Sequence, residues 1–476
     1  MSGRLLLLLV LLGQLAGCAV NPATGRTNFV MMSEQQELDL GRRDNQEILK
    51  QYPRYADEAL QTYVQQVGER VARTSHRNQL DYRFTVVDSP DINAFALPGG
   101  YIFIHRGLLA YLGSEAELAA VLGHEIGHVT ARHSVQQQSQ ASAWGILGQA
   151  VAIGTGVGAA GDLTNVLGSA LVRGYGRDME LEADGLGAQY LARSGYDPEA
   201  MIAVVKVLKA QEVFARDQAA KRGEAQPAGG YHGLFDTHPD NDRRLQQVLG
   251  PAQALANGRQ ELNREVFLRH LEGLPFGDSA ETGIRRGQHF YHGPLDFTLM
   301  YPRGWIIINR SDALVAHSPD QLALVVMTLE PNPQNLPPEQ LLRQRVGGQR
   351  LVDGSELRQS GMRGYSARVG DKRVALLQHA ARSYLLVGAV RGRGALETWD
   401  PAFIQVIQSM RPLAAAERKL AEPLRIHLLR ATPGQSLAAL ARQSGLPGDA
   451  LDTLRLLNNL YPSGEPQSGD WLKQVR

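Results

Sequence analysis

The sequence predicts an α+β chain: a mostly helical first half with a small edge sheet, then a separate α+β segment, then a small terminal module. Three observations lead there. Apolar residues in 114–122 (SEAELAAVL) recur at helical spacing, and the helix they predict runs on past His128. Residues 82–87 alternate as a strand does, and 101–105 is their natural partner. The texture then changes near Gln288 and again over the last fifty residues, and a chain of 476 residues is long enough for two or three cores.

Residues 33–73 read as mainly helical, with Glu34, Glu37, Leu60, Val64 and Val67 at suitable spacing. The strands at 82–87 and 101–105 follow, separated by a turn at Pro98-Gly99-Gly100. Residues 143–161 carry no charge and are about as long as a membrane span. Their six glycines and few large side chains favour a small-residue helix or lid beside a cleft, with membrane contact as the alternative. A polar loop is expected over 218–230, and a helix through Arg244 and Leu245 before the first domain closes near Pro275. In 288–413, strands are expected at 296–305, 306–308, 322–329, 373–378 and 384–390. Helices are expected at 338–345 and 401–410, each opening on a proline suited to a first helical position.

The charge is balanced, with 49 basic against 48 acidic residues and a net charge of +1, so nothing electrostatic points to nucleic acid. Cys18 is the one cysteine, which excludes an intramolecular disulfide.

The chemistry concentrates at His124, Glu125 and His128, in the run VLGHEIGHVT. Two histidines four apart on a helix lie about 40° apart around its axis and roughly 6 Å along it. Both imidazoles can then reach one metal ion, and Glu125 can hold a metal-bound water and take its proton. This is the HExxH signature of zinc peptidases, with Glu125 as general base. A catalytic zinc usually takes three protein ligands and leaves one position open. Glu180, 52 residues after His128, is the expected third, and Asp184 lies on the same helical face. Asp184 can accept a hydrogen bond from a ligand imidazole and fix its tautomer. An ExxxD pair alone is common on exposed helices; its place after HExxH selects it. Glu182 is offset from that face and expected to be solvated. His105 and His133 are weaker metal candidates, and His133, five residues past His128, reads as structural.

These segments together resemble the membrane-linked gluzincin metallopeptidases of the HtpX, CAAX-endopeptidase, BepA and LoiP group. The resemblance implies a mostly helical zincin-like metallopeptidase domain over 33–275 and one zinc ion per chain, held by His124, His128 and Glu180 with Asp184 behind them. Residues 93–109 (NAFALPGGYIFIHRGLL) resemble the family's edge strand and hairpin. That makes Asn93, Ala94 and Phe95 candidates for holding an extended substrate by main-chain hydrogen bonds, against an ordinary turn. The run Phe235-Asp236-Thr237-His238-Pro239, with Arg244, resembles the family's THP segment. His238 or Arg244 would stabilise the oxyanion, or His238 would close the metal site as a fourth ligand. Gly176 stands where relatives often carry serine.

The ends resemble other things. Arg4, the apolar run 5–12 and Leu15-Ala16-Gly17-Cys18 resemble a bacterial lipoprotein signal peptide over 1–17, with acylation at Cys18. Ala19 favours the outer membrane, and 18–32 reads as a short flexible tether. Residues 288–413 weakly resemble small envelope domains of the PsbP and Mog type, and 424–476 a LysM module, a fold that commonly recognises N-acetylglucosamine polymers. The expectation is a lipid-anchored zinc endopeptidase on the periplasmic face of the bacterial envelope, acting on unfolded or misassembled envelope proteins in quality control. Contact with peptidoglycan would run through the terminal module. The rival expectations are a conditionally silent, chaperone-like protein and a cell-wall-binding protein.

Overall fold

The computed structural model describes residues 18–140, 142, 175–221, 244, 254–255, 261–392 and 396–476. Two compact units divide them. The first holds the residues up to Leu49, Arg54–Leu274 and Arg425–Arg476; the second holds Lys50–Pro53 and Pro275–Leu424. Residues 143–161 and 235–239 lie outside the described residues.

The first unit opens with β1 (Cys18–Val20) and β2 (Thr27–Phe29), paired antiparallel with Cys18 opposite Phe29. This corrects the expected flexible tether. Asn21 is buried, and its Oδ1 accepts from the backbone of Ala23 at 2.9 Å and Thr24 at 3.3 Å, closing the turn between the strands. The mainly helical stretch expected over 33–73 forms two helices, α1 (Glu34–Gln51) and α2 (Glu58–Ala72). Pro53 disfavours a helical backbone at Tyr52, and Asp57 restarts the helix by accepting from Leu60 N.

Strands β3 (Arg83–Val87), β4 (Ala94–Leu97) and β5 (Tyr101–His105) form a sheet in the order β3-β5-β4. β3 runs parallel to β5 and β4 antiparallel to it, so β4 is an edge. The reversal between β4 and β5 needs Gly99 at φ 79° and Gly100 at φ 94°, where a side chain would be strained. After α3 (Arg106–Tyr111) comes α4 (Glu115–Thr130), capped by Ser114, which accepts from Glu117 N at 3.2 Å. The sequence suggests an amphipathic α4, yet every residue of it is buried. β4 and several helices pack on it: α2, α5 (Arg177–Ser194), α6 (Ala200–Lys221) and α7 (Arg264–Arg269). A helix enclosed on all sides has no solvent face to keep polar.

The second unit carries a seven-stranded antiparallel sheet of β6 (Ile306–Asn309), β7 (Leu314–His317), β8 (Ala323–Glu330), β9 (Val352–Gln359), β10 (Met362–Val369), β11 (Lys372–His379) and β12 (Arg382–Val390). The spatial order is β6-β7-β8-β12-β11-β10-β9. Successive residues of β11 serve opposite faces. Leu376 packs with Leu341 and Leu342 of α8 (Pro338–Arg345), whereas Ala375 and Leu377 join Phe403 and Val406 of α9 (Leu396–Ser409). Pro401 lies inside α9 instead of opening it, a correction to the expected boundary.

The chain returns to the first unit through β13 (Leu424–Arg430), α10 (Leu437–Gln443), α11 (Ala450–Leu457) and β14 (Trp471–Val475), with β13 and β14 antiparallel. The sequence sets 424–476 apart as a module of its own; the structure folds 425–476 into the same unit as α4. The buried Lys473 amine explains the docking. Its Nζ donates to the backbone oxygens of Ala110 at 2.6 Å and Leu112 at 2.9 Å, capping the end of α3. Burial pushes that amine down to about 7, with Glu117 opposing the shift. On α6, Lys221 pairs with Asp449 and Asp452, and Asp217 accepts from Tyr461 Oη. Among the described residues, no helix is long and apolar enough to cross a membrane.

Candidate metal centre

Two helices build the site by approaching closely. A Cβ on Gly127 of α4 would lie 2.9 Å from Ala183 O of α5, and one on Gly187 would lie 3.1 Å from His124 N. Glycine at these positions lets the backbones of α4 and α5 come near enough for short side chains to converge. α4 then presents His124 and His128, and α5 presents Glu180 and Asp184, all buried.

The donor atoms nearly touch. His124 Nε2 lies 3.0 Å from His128 Nε2, and each is 3.5 Å from an oxygen of Glu180. Three ligands at tetrahedral angles and zinc distances of 2.0–2.1 Å would stand about 3.3 Å apart. The set of two imidazoles and a carboxylate therefore fits a zinc ion in both chemistry and spacing. Among the described residues these three form the one such group of metal-binding side chains.

Asp184 stands behind these three candidate ligands. Its Oδ1 is 2.8 Å from His124 Nδ1, which places an imidazole hydrogen on Nδ1 and, in the neutral ring, leaves the lone pair on Nε2. Arg244 grips the same carboxylate through Nε at 2.8 Å and Nη2 at 2.7 Å, and its Nη1 is 3.4 Å from Glu180. Burial opposes ionisation of Asp184, but Arg244 and His124 outweigh it and hold the carboxyl well below its usual range. Burial likewise opposes charge on His124, but hydrogen bonds to Asp184 and Glu180 prevail and raise the imidazole of the metal-free site to about 9.

Glu125 is buried beside His124. The Tyr175 ring stacks on His128 with centroids 3.9 Å apart, and its hydroxyl shares a hydrogen bond with Ser134 Oγ at 2.7 Å. Asn93 O accepts from His105 N at 2.9 Å, so Asn93, Ala94 and Phe95 head the edge strand that packs on α4. His105 stays outside the metal group; burial alone depresses its imidazole, to about 3. His238 lies outside the described residues.

Two partners escaped the sequence reading. His133 Nδ1 lies 2.8 Å from His128 Nδ1, and His133 Nε2 lies 3.5 Å from Glu182 Oε2, so Glu182 is not simply solvated. Helical spacing misplaces His133 because α4 ends at Thr130 and Arg132 adopts φ 60°, which turns the chain back toward the ligand. Nothing in the residue type of Arg132 announces that turn.

A family model described as Peptidase family M48, a zinc-dependent family, matches residues 58–252. The beta-barrel assembly-enhancing protease of Yersinia pestis is 34% identical over 244 residues, 49% of this chain and 47% of that protein. Its Escherichia coli namesake is 30% identical over 272 residues, 55% of this chain and 53% of that one. The mitochondrial metalloendopeptidase OMA1 of Arabidopsis thaliana is 40% identical over 128 residues, 27% of this chain and 26% of that protein. The chain thus spans about half the length of the beta-barrel assembly-enhancing proteases it matches. A solved cyanobacterial PsbP from Synechocystis covers 28% of this chain and 96% of its own at 12% identity and a TM-score of 0.21, too low a likeness to argue from. The matched span contains His124, Glu125, His128, Glu180 and Asp184, so the part of the chain that carries the candidate site is the part similar to peptidase family M48.

Proposed function

We propose that this chain is a zinc-dependent endopeptidase of the bacterial cell envelope, held to the membrane by a lipid on Cys18, that cuts unfolded or misassembled envelope proteins. The convergence of His124, His128 and Glu180 within hydrogen-bond distance of one another carries the catalytic part of the reading. Relatives named as assembly-enhancing proteases support the envelope and quality-control part.

In this reading His124, His128 and Glu180 hold the ion, which supplies Lewis acidity that polarises a peptide carbonyl and makes water acidic near neutral pH. The outer edge of β4 takes the substrate as an added strand, bonding an extended peptide through the main chain. Glu125 accepts the proton of the attacking water and returns it to the leaving nitrogen. Asp184 keeps His124 in the ligating tautomer, and Arg244 keeps Asp184 ionised and aimed.

Glu125→Gln tests this directly, because the base is lost while all three ligands remain. Casein hydrolysis should vanish with zinc content unchanged by elemental analysis; cleavage at the wild-type rate would refute the assignment. Radioactive palmitate labelling of a Cys18→Ser strain tests the anchor separately, since only a thiol can take the diacylglycerol.

A further inference from the structure

Behind His128 lies a second chain of polar groups, with His133 and Asn21 buried and Glu182 half-buried. His128 Nδ1 meets His133 Nδ1 at 2.8 Å, and His133 Nε2 faces Glu182 Oε2 at 3.5 Å. Glu182 Oε1 in turn accepts from Asn21 Nδ2 at 2.8 Å. We propose that His133 is the positioning residue for His128, and that Glu182 and Asn21 hold it in the tautomer that lets His128 bind metal. The inference rests on His124, His128 and Glu180 being the metal ligands.

Two ring nitrogens 2.8 Å apart need one hydrogen between them. If that hydrogen belongs to His133, a neutral His128 carries its own on Nε2, where it points at His124 and Glu180 and blocks a metal. If it belongs to His128, Nε2 keeps its lone pair for the metal, and His133 must carry its hydrogen on Nε2. Glu182 lies on that side, and a carboxylate only accepts hydrogen bonds. Its presence therefore selects the pair of tautomers in which His128 can ligate.

The mount is built to stay put. Asn21 is buried, its N–H donates to Arg26 O at 2.7 Å, and its Oδ1 holds the β1–β2 turn. The amide cannot swing away from Glu182 without breaking that turn. The left-handed Arg132 that delivers His133 is pinned by the same amino-terminal segment: Nε donates to Glu37 at 2.8 Å and Nη2 to Met32 O at 3.1 Å. Met31 N adds a bond to Ser139 Oγ at 3.0 Å. The segment 18–37 is thus part of the metal site's frame.

The test is competition of the full chain against a chelating dye for zinc, with release followed in time. His128→Phe sets the frame: if it binds zinc as the wild type does, the metal-site reading itself has failed. Once that variant has lost zinc, His133→Phe should weaken binding by about ten- to a hundredfold. His133→Asn should recover most of the loss, because its Oδ1 takes the place of Nδ1 as acceptor. Wild-type affinity in His133→Phe overturns the proposal. So does an equal loss in both His133 variants, which would make the contact one of packing. If His133→Phe fails to fold, judged by melting of the metal-free chain, Glu182→Leu decides. A severalfold faster release of zinc supports the relay, and an unchanged rate overturns it.

Discussion

Replacing Arg244 with methionine separates two roles for that residue, one behind the ligands and one at the reacting carbonyl. In the structure both N–H groups of its fork go to Asp184, at 2.7 and 2.8 Å, and the remaining nitrogen lies 3.4 Å from Glu180. Asp184 is 2% exposed, so removing the guanidinium leaves a buried carboxylate with His124 as its remaining charged partner. Breaking a buried pair from one side costs about 3–5 kcal/mol. For a unit of this size that is a fall in melting temperature on the order of ten degrees. Zinc affinity should fall by about ten- to a hundredfold, because the carboxylate that orients His124 is no longer aimed by the Arg244 fork. Melting in the presence of a chelator and dye competition for zinc measure the two losses. Arg244→Lys should restore the charge but not the fork, and so recover part of each. If Arg244→Met keeps wild-type melting and zinc affinity while kcat drops a hundredfold, the guanidinium acts on the oxyanion and the positioning argument is wrong.

The metal-free protein should also lose stability as pH rises from 6.5 to 9. His124 is raised to about 9 in the folded state, so its contribution is complete below the unfolded value of about 6.5 and gone above the folded one. The effect is on the order of 3 kcal/mol, read from denaturation midpoints across that range; a flat profile in the chelated protein would deny His124 the extra proton. Gly127→Ala should cost about 1–3 kcal/mol, since its Cβ would meet the Ala183 backbone at 2.9–3.0 Å. It should also weaken zinc binding by parting α4 from α5, and unchanged melting would show that the helices can yield. Deleting 425–476 should lower the melting temperature of the peptidase unit and its proteolysis together, because Lys473 leaves the carbonyls of Ala110 and Leu112. Full activity in the truncated chain would make the terminal segment a separate module after all.

His124, Glu125, His128, Glu180 and Asp184 were legible in the sequence because each pair lies within one helix, where 3.6 residues per turn sets which side chains share a face. Alternation and the Pro98-Gly99-Gly100 turn are local signals too and placed the strands at 82–87 and 101–105, whereas the edge strand between them came from the family resemblance. It failed at His133, where extrapolating the helix missed the left-handed turn at Arg132. It failed at 18–32, whose short polar run looks like a linker until Asn21 finds Glu182 across 161 residues. It also set 424–476 apart, because the Lys473 amine that docks it reads as a surface charge.

By itself, then, the sequence picked out the candidates: His124, Glu125 and His128 by spacing within one helix, and Glu180 with Asp184 by spacing within a second that follows it. Only the tertiary structure decided what brings those helices together and what stands behind the ligands. Glycine clearance between α4 and α5, the fork of Arg244 and the contacts of His133 join residues far apart in the chain. Such contacts depend on where the backbone turns and which buried charges must be paired, and local periodicity carries neither.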